Sequence, residues 1–363
     1  MMPADMAKPT VNDIARAAGV SLATVDRVLN ARPGVRGRTV AAVQDAVARL
    51  GYVRDIAAAN LARQRSYRFV VALPEGPGQS LRDLAQAIER AGAQAAAARC
   101  EVALMRYPPE DAHALATALA ALPAGTDGVG LLAPETPVTR DAVRVLRDRG
   151  VPTVALMSDL PGTERSHFVG IDGVAAGRTA GLLMARFLGW GAARVPARVL
   201  VIAQSMLLRD SVDRRRGFDA VMQAEAPATV VLPTVESHGS AEALRAAVEE
   251  AVRVEGAPSG VYLLGSGTRH LARALGGLGL ADRPAIIGHD LTPAARAGLA
   301  EGWLDAVVTQ NLGHLARSAL RVLRSLADGL PIDQAQERLR IEIVTRENLP
   351  EIDPEHSEER TSK

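Results

Sequence analysis

Cysteine is almost absent from this sequence, because Cys100 is the only one among 363 residues. A single thiol cannot form an internal disulfide framework, which indicates a reducing compartment. Its place in the apolar run CEVALMR predicts a buried structural residue rather than a nucleophile. No group of cysteine and histidine residues has the spacing of metal ligands, so we expect no metal site.

Long hydrophobic runs are also missing, although 48% of the residues are hydrophobic. No uncharged apolar stretch reaches the ~18 residues of a membrane-spanning helix, and the opening residues MMPADMAKPT lack the apolar core of a secretion signal. We therefore expect a soluble, cytoplasmic protein with no membrane partner. Aromatic residues make up only 3% of the chain, which leaves no evident stacking platform for a ligand. Trp190, Phe218 and Trp303 are predicted to serve the core.

The net charge is only +1, but this value hides an asymmetry between the two ends of the chain. Residues 1–65 have a charge balance of +5, whereas the remainder has a balance of −4. A basic head on an acidic body is typical of a protein with one end that binds nucleic acid and a body with another task. A basic surface that only contacts solvent would give the same charge. Charge alone therefore does not show that residues 1–65 bind nucleic acid.

The segment TVNDIARAAGVSLATVDRVLN, residues 10–30, predicts two short helices joined by a tight turn. Thr10 and Asp13 have the spacing of a capping box. Gly19 can end the first helix in a left-handed conformation, and Ser21 can cap the second. Two helices joined by a glycine turn are typical of a helix-turn-helix, which places its second helix in the major groove of DNA.

A third helix is predicted from about Arg38 to Leu50, where valines recur at helical spacing before Gly51. The next segment, RDIAAANLARQR at residues 54–65, offers a helix of about seven residues. That length is too short for a stable isolated helix in water. The segment is therefore either a plain linker or a helix that forms only against a partner.

From Arg68 onward, short β-rich runs alternate with amphipathic helical runs. One series contains RFVVAL, CEVALMR, DGVGLLA, VPTVALM and FVGID, and a second contains VLVIAQ, TVVLPTV, GVYLLG, AIIGHD and AVVTQN. Such alternation predicts parallel sheets flanked by helices, and two series predict two α/β lobes. Ligands in these folds bind at the carboxyl ends of the strands, so we expect the pocket in the cleft between the lobes. The polar tail at residues 351–363 is predicted to be disordered.

The headpiece motif and LGYVRDIAAANLA at residues 50–62 resemble the lactose-repressor (LacI/GalR) family of bacterial transcription regulators. The rest resembles that family's sensing domain, which shares the two-lobed fold of periplasmic sugar-binding proteins. Its matching motifs occur in family order: VGIDGVAAGRTAG, RRRGF, IIGHD, VVTQN and RENLP. The implied fold is a small all-α helix-turn-helix headpiece plus an α/β two-lobed periplasmic-binding-protein-like domain. The predicted domains are a headpiece at 8–53, a hinge helix or linker at 54–66, a sensing and dimerisation domain at 67–350, and the tail.

The resemblance implies a set of DNA-binding residues. Leu22, Ala23 and Arg27 would face base edges, and Arg27 would either donate two hydrogen bonds to guanine or clamp a phosphate. Contacts to phosphate set the register without reading sequence, and three residues would make them: Ser21, Thr24 and Asn30. Leu61 matches the leucine that wedges into the minor groove at the centre of the operator and kinks the duplex.

The DNA-binding part of the chain departs from the family pattern at Asp26 and at the pair Arg54 and Asp55. Asp26 stands where serine is usual, and phosphates repel a carboxylate, so we expect it to pair with Arg27 or a nearby arginine, or to point away. Arg54 and Asp55 replace the usual Pro-Asn, so the entry to the hinge helix would differ.

The resemblance also implies where the sensing half would hold a small effector, which we expect to be a sugar, a polyol or a sugar acid. Arg214 would hold hydroxyl or carboxylate oxygens, and Asp290 would accept hydrogen bonds from paired hydroxyl groups. The other candidate residues are Gln79, Ser80, Ser158, Asp159, Thr268 and Gln310. The turn GSGT at residues 265–268 departs from the Asn-Asp version of many relatives, which makes the effector harder to infer.

The sequence therefore predicts a homodimeric, ligand-responsive repressor that binds double-stranded operator DNA of near-palindromic sequence, in the cytoplasm and associated with the nucleoid. A sugar-binding receptor without DNA binding is one alternative, opposed by the basic headpiece and the missing secretion signal. A nucleotide-dependent enzyme is the other. The GSGT turn resembles part of a dinucleotide fingerprint, but His270 occupies the third glycine position. We predict no catalytic residues and no cofactor.

Overall fold

The computed structural model describes residues 9–29, 32–52, 65–76, 78–109, 111–189, 197–265 and 267–351. Contacts divide the chain into two compact units, residues 1–65 and residues 66–363. The predicted hinge, including Leu61, and the predicted tail lie almost entirely outside the described residues, as do Asn30 and Trp190.

The first unit is built from three helices in its described part: α1 (Val11–Ala18), α2 (Leu22–Leu29) and α3 (Gly37–Leu50). All three helices contribute fully buried side chains to a common core, namely Ile14 from α1, Val25 from α2, and Val43 and Ala46 from α3. Gly19 ends α1 with φ 65° and Gly51 ends α3 with φ 61°, both left-handed. Glycine adopts this conformation at no steric cost, and the predicted helix ends are confirmed.

The second unit begins with a sheet of parallel strands in the order β2-β1-β3-β4-β5. Its strands are β1 (Tyr67–Pro74), β2 (Cys100–Tyr107), β3 (Gly128–Leu131), β4 (Thr153–Leu156) and β5 (His167–Val169). The helices between them are α4 (Gln79–Ala96), α5 (Ala112–Ala120) and α6 (Pro137–Asp148). We call this part lobe 1. Cys100 is buried there, and burial raises the pKa of its thiol, as expected of a structural cysteine.

Lobe 2 contains a second sheet in the order β11-β10-β9-β8-β6-β7, parallel except that β11 runs antiparallel to β10. Its strands are β6 (Arg198–Ala203), β7 (Val230–Glu236), β8 (Gly260–Leu263), β9 (Ala285–His289), β10 (Ala306–Thr309) and β11 (Glu342–Val344). The helices of this half of the chain are α7 (Gly173–Phe187), α8 (Arg209–Glu225), α9 (Ala241–Glu255), α10 (Thr268–Gly276), α11 (Pro293–Glu301), α12 (Leu312–Ala327) and α13 (Gln334–Glu337). Strands such as β8 and β10 are buried along their whole length, which explains their continuous apolar runs.

Two helices lie in the lobe opposite to the one that chain order suggests. Helix α7 directly follows β5 but packs on α8 and on the second sheet, whereas α12 follows β10 but packs on α4 and the first sheet. The chain therefore passes between the lobes three times, at residues 170–172, 310–311 and 328–341. The sequence predicts two consecutive strand–helix series and not this exchange, because helical periodicity identifies an apolar face but not the sheet that covers it.

The third passage is tied to α12 through Glu337. Arg321 donates to Glu337 through Nε to Oε1 and through Nη2 to Oε2, both at 2.8 Å, and the Ser318 hydroxyl also bonds this carboxylate. Burial acts to raise the pKa of Glu337, but these hydrogen bonds outweigh it and hold the pKa below its usual range. The ion pair between Arg321 and Glu337 therefore holds the third passage, residues 328–341, against lobe 1.

Helices α7 and α8 touch through their backbones. A Cβ added at Gly177 would lie 2.0 Å from the carbonyl oxygen of Arg214, and one added at Gly217 would lie 2.1 Å from that of Val174. Because such distances are far inside van der Waals contact, only glycine permits this approach. The crossing fixes the backbone of α8 at Arg214, one of the predicted effector residues.

Candidate DNA-binding headpiece and effector cleft

The predicted capping box, formed by Thr10 and Asp13, is present at the N-terminus of α1. The Asp13 carboxylate accepts hydrogen bonds from Thr10 Oγ1 at 2.7 Å and from the Thr10 backbone N–H at 2.8 Å. These bonds hold the pKa of Asp13 below its usual range. The pairing predicted from the three-residue spacing is confirmed, and it anchors the helix that supports α2.

Helix α2 buries Val25 and leaves its N-terminal half exposed. Ser21 Oγ accepts a hydrogen bond from the Thr24 backbone N–H at 3.2 Å and bonds Thr24 Oγ1 at 2.9 Å, so Ser21 caps this helix. Leu22, Ala23 and Arg27 are exposed, and Leu22 shows 49% of its surface although it is a large apolar residue. An exposed leucine on a capped helix is available for contact with a base edge or a thymine methyl group.

The aspartate that departs from the family pattern is paired. Asp26 Oδ2 lies 3.5 Å from Arg32 Nη1, and both side chains remain about half exposed. The prediction that Asp26 pairs with a nearby arginine is thus confirmed. Within residues 9–29 and 32–52 no carboxylate forms a salt bridge with Arg27, which leaves its guanidinium group available to another partner.

Arg214 is the centre of the polar cluster between the lobes. It lies on α8 and is only 2% exposed. Its Nη1 donates to the Leu264 carbonyl oxygen at 2.6 Å and lies 3.1 Å from Asp210 Oδ2. Its Nε and the other Asp210 oxygen, Oδ1, are buried without a hydrogen-bond partner among the described residues. A buried polar atom left unpaired costs about 1–3 kcal/mol, so these two atoms indicate a ligand position.

Asp290 follows β9 in a left-handed conformation, with φ 65°. The residue keeps partial exposure, but protein surrounds its carboxyl group, and desolvation raises the carboxyl pKa. Arg214 and the Ser80 hydroxyl act in the opposite direction, while the charges of Asp210 and Asp83 raise the pKa further. Ser80 and Asp83 belong to lobe 1, so Asp290 faces groups from both lobes.

Gln310 and Ser158 lie at the junction between the lobes. The Gln310 side chain is 5% exposed; its Oε1 accepts from the Ile171 backbone N–H at 3.2 Å, and its Nε2 has no partner in the described parts of the chain. Ser158, two residues after the end of β4, is fully buried and accepts a hydrogen bond from the Asp210 backbone N–H at 3.2 Å. Ser158 therefore joins lobe 1 to the start of α8 in lobe 2.

The remaining predicted effector residues are less directly engaged. Thr268 is buried at the start of α10. Gln79 donates from Nε2 to Asp83 Oδ1 at 2.6 Å and accepts from Arg82 at 2.6 Å. Asp159 is bound by Arg165 and by the Leu160 N–H at 2.7 Å, so it holds the loop after β4.

A cavity of about 1220 Å³ lies beside the first and third passages. It includes neither Arg214 nor Asp290 in its lining, and three of its carboxylates already have arginine partners: Asp159 with Arg165, Asp213 with Arg209 and Glu337 with Arg321. Asp210 also lines this cavity. We place the candidate effector site at the buried cluster instead, because Arg214 Nε and Gln310 Nε2 lack partners there.

Sequence reasoning missed four residues of this cluster. Asp210 was recognisable, because it precedes Arg214 by four residues and so shares a helix face with it. Asp83 gave no such signal. His289 and Tyr262 form a buried pair below Asp290, with the hydroxyl 2.9 Å from Nε2. Burial lowers the pKa of His289 well below its usual value and keeps the ring neutral.

The aromatic residues behave as predicted where they are described. Phe218 is fully buried and stacks on Tyr262 at 4.3 Å between ring centroids, and Trp303 packs against the core of lobe 2. In the described parts of the chain, no group of histidine, cysteine or acidic residues could hold a metal ion. No helix there is long and apolar enough to cross a membrane.

The fold and the two sites define a two-lobed ligand-binding domain preceded by a helix-turn-helix domain. Residues 79–331 match the family model described as "Periplasmic binding protein domain", and residues 10–55 match "Bacterial regulatory proteins, lacI family". The chain therefore belongs to the periplasmic binding protein domain family and carries a lacI-family headpiece, which confirms the resemblance and the predicted fold class. Neither is a family of enzymes.

Individual relatives agree with this assignment. Catabolite control protein A of Priestia megaterium is 38% identical over 80 residues, which are 22% of this chain and 24% of that protein. The sucrose operon repressor of Vibrio alginolyticus is 44% identical over 57 residues, 16% of this chain and 61% of that protein. The glucose-galactose binding protein GanP of Geobacillus stearothermophilus superposes with a TM-score of 0.68 over 79% of this chain and 99% of its own, at 21% identity. That likeness establishes the fold alone.

Proposed function

We propose that this protein is a ligand-responsive transcriptional repressor that binds a near-palindromic operator as a homodimer in the cytoplasm. One observation carries the proposal: a lacI-family headpiece with an exposed second helix shares a chain with a two-lobed domain whose buried polar atoms lack partners. The first feature suits DNA and the second suits a small polar molecule. The names of two relatives, a catabolite control protein and a sucrose operon repressor, support the same function.

In this proposal the headpiece reads DNA through the exposed face of α2. Leu22 and Ala23 offer apolar contacts to bases, and Arg27 supplies the cation. Ser21 and Thr24 lie where the helix begins and contact phosphates, which set the register. Two headpieces would occupy two half-sites, because a two-fold protein matches a two-fold operator.

The effector would act by changing how the lobes close. Arg214 and Asp290 of lobe 2 face Ser80 of lobe 1, and Gln310 sits on a segment that joins the lobes. A molecule that bonds both sides binds the closed arrangement more tightly and so shifts the population toward it. The predicted hinge at 54–66, with Leu61, would carry this shift to the DNA.

Replacement of Arg27 tests the part of the proposal that concerns DNA binding. In full-length protein we expect Arg27→Ala to weaken binding to an operator selected from genomic fragments by about 1–3 kcal/mol if the residue reads a base. A phosphate clamp would instead lower the salt slope by about one, with uniform loss on all sequences. The control is Arg49→Ala on α3, an exposed arginine 3.1 Å from Asp45, which should bind as the unchanged protein does. If the unchanged protein prefers no genomic fragment over competitor DNA, with or without ligands, the proposal fails and a receptor without DNA binding is favoured.

Coupling between the two sites gives a second test. By linkage, any compound that changes operator affinity by a given factor must have its own affinity changed by operator DNA by the same factor. We expect titration calorimetry of a bound compound, with and without operator duplex, to show this reciprocal change. Equal affinity in both titrations would show that binding of the compound is not coupled to DNA binding, and would refute the proposed ligand response.

A further inference from the structure

A second cavity, of about 420 Å³, lies where the third passage between the lobes runs beside the start of α12. Helix α12 contributes His314 and Arg317 to its lining, and the passage contributes Arg338 and Arg340. Glu342, the first residue of β11, is the carboxylate in this lining. Because arginines outnumber the carboxylate, we call this space the basic cavity.

The ion pair that ties the third passage to α12 also brings these arginines together. Arg317 and Arg321 are four residues apart on α12 and so share one face of the helix. Arg321 bonds Glu337 through two hydrogen bonds of 2.8 Å, so the residues that follow Glu337 run alongside that face. The residues on either side of Arg338 are buried, whereas Arg338 and Arg340 are exposed. This alternation places both arginines on the same side of the chain.

The three arginines have no partner of their own among the residues that the structure describes. No carboxylate there forms a salt bridge with Arg317, Arg338 or Arg340, and their guanidinium groups donate no hydrogen bond within that part of the chain. Arg317 lies against the first turn of α12, since a Cβ added at Gly313 would be 3.2 Å from its Nη1. A cation at the positive end of a helix dipole is unfavourable, so an anion at this place would be stabilising.

The charge of the basic cavity is therefore not balanced by the protein. Arg338 and Arg340 also line the 1220 Å³ cavity, but three carboxylates of that cavity are paired with other arginines. Three guanidinium groups and the single carboxylate of Glu342 give the lining of the basic cavity a charge of +2. Like charges gathered around one space repel each other, and a dianion removes that repulsion.

We propose that the basic cavity is a second small-molecule site, separate from the cleft at Arg214, and that it binds a phosphate monoester. Such a group carries a charge of about −1.5 to −2 at neutral pH and has three terminal oxygens, which suits three guanidinium forks and a charge of +2. A carboxylate offers one charge and two oxygens. The volume lies within the range of small-molecule pockets, about 300–1,000 Å³, and the amides of Asn311 and Gln336 line the space left for the organic part.

Calorimetry on the full-length protein at low ionic strength tests the ligand class. The probes are glycerol phosphate and D-glucose 6-phosphate, inorganic phosphate, and glycerol and glycerate as counterparts without phosphate. We expect glycerol phosphate to bind at least about tenfold more tightly than glycerol or glycerate, and added salt to weaken its binding. We expect at least one ester to bind more tightly than inorganic phosphate. No binding by either ester overturns the inference, and so does inorganic phosphate that binds as tightly as both.

Three variants locate the site. Arg338→Gln and Arg340→Gln should each weaken binding of the tighter ester by about tenfold, with an unchanged unfolding midpoint, because both side chains are exposed and make no salt bridge in the described residues. Glu342→Gln removes the opposing charge and should strengthen binding by about two- to fivefold. The control is Arg273→Gln, an exposed arginine on α10 that lines neither cavity, and it should leave the affinity unchanged.

The outcomes separate this site from the cleft and from the proposed function. Ester affinity that is the same in Arg338→Gln and Arg340→Gln as in the unchanged protein overturns the inference. If Arg214→Met abolishes ester binding while both of those variants retain it, the ester occupies the cleft and the inference is equally wrong. Failure of the protein to select any DNA would refute the proposed function and leave the phosphate site standing.

Discussion

Gly217→Ala is expected to destabilise the two-lobed domain by at least about 3 kcal/mol, because the added methyl group has nowhere to go. Its Cβ would lie 2.1 Å from the Val174 carbonyl oxygen and 2.8 Å from the Arg178 nitrogen. Both are backbone atoms, so no side-chain rotation can relieve the overlap, and α7 and α8 must separate. In thermal unfolding we expect a midpoint lower by at least about 5 °C.

Gly276→Ala is the matched control for this prediction. Gly276 is the last residue of α10, has no positive φ, and a Cβ there meets nothing within 4 Å. Alanine is the better helix former, so we expect a change within about 0.5 kcal/mol, in the stabilising direction. Equal unfolding midpoints for the two variants would show that the helices do not cross at Gly217.

Arg214→Met should abolish the response of the protein to its effector. Methionine keeps the apolar stem but removes the guanidinium group that bonds Leu264 O and Asp210 and offers Nε to the cleft. Loss of one partner of a buried ion pair costs about 3–5 kcal/mol. We expect both a lower unfolding midpoint and an effector affinity reduced by at least about 100-fold.

A double variant separates the structural role of Arg214 from its role in binding. Asp210→Asn combined with Arg214→Met removes both charges and should recover part of the lost stability, while effector binding stays absent. Arg245→Met on α9 is the control, because it removes an exposed arginine from another i,i+4 pair, 2.8 Å from Glu249. Recovery of effector binding in the double variant would contradict the assignment of Nε as a ligand contact.

The headpiece was the most predictable part of the molecule. Its signals are local: Thr10 and Asp13 three residues apart, Gly19 at a helix end, and apolar residues at helical spacing. Each depends on atoms within one or two turns of chain, so the sequence alone specifies it. The same holds for the strands of both lobes, whose buried apolar runs the sequence marks at the correct positions.

The candidate cleft was predictable only in part. Arg214, Asp290 and Gln310 could be identified because they follow recognisable strand and helix motifs. Asp83 could not, because its charge acts on Asp290 from the other lobe and from more than 200 residues away in the sequence, which no local pattern records. Gln79 and Asp159 resembled ligand residues in the sequence, yet their polar groups are bonded to neighbours in the chain.

The sequence by itself determined the three headpiece helices, the two sets of parallel strands and the polar residues at strand ends, because short-range sterics, capping and hydrophobic periodicity fix all of these. Only the tertiary structure decided that α7 and α12 exchange lobes, that Gly177 and Gly217 let two backbones touch, and which buried polar atoms of the cleft lack a partner among the described residues. Those features depend on contacts between residues far apart in the chain, and no local pattern records which surface will cover another.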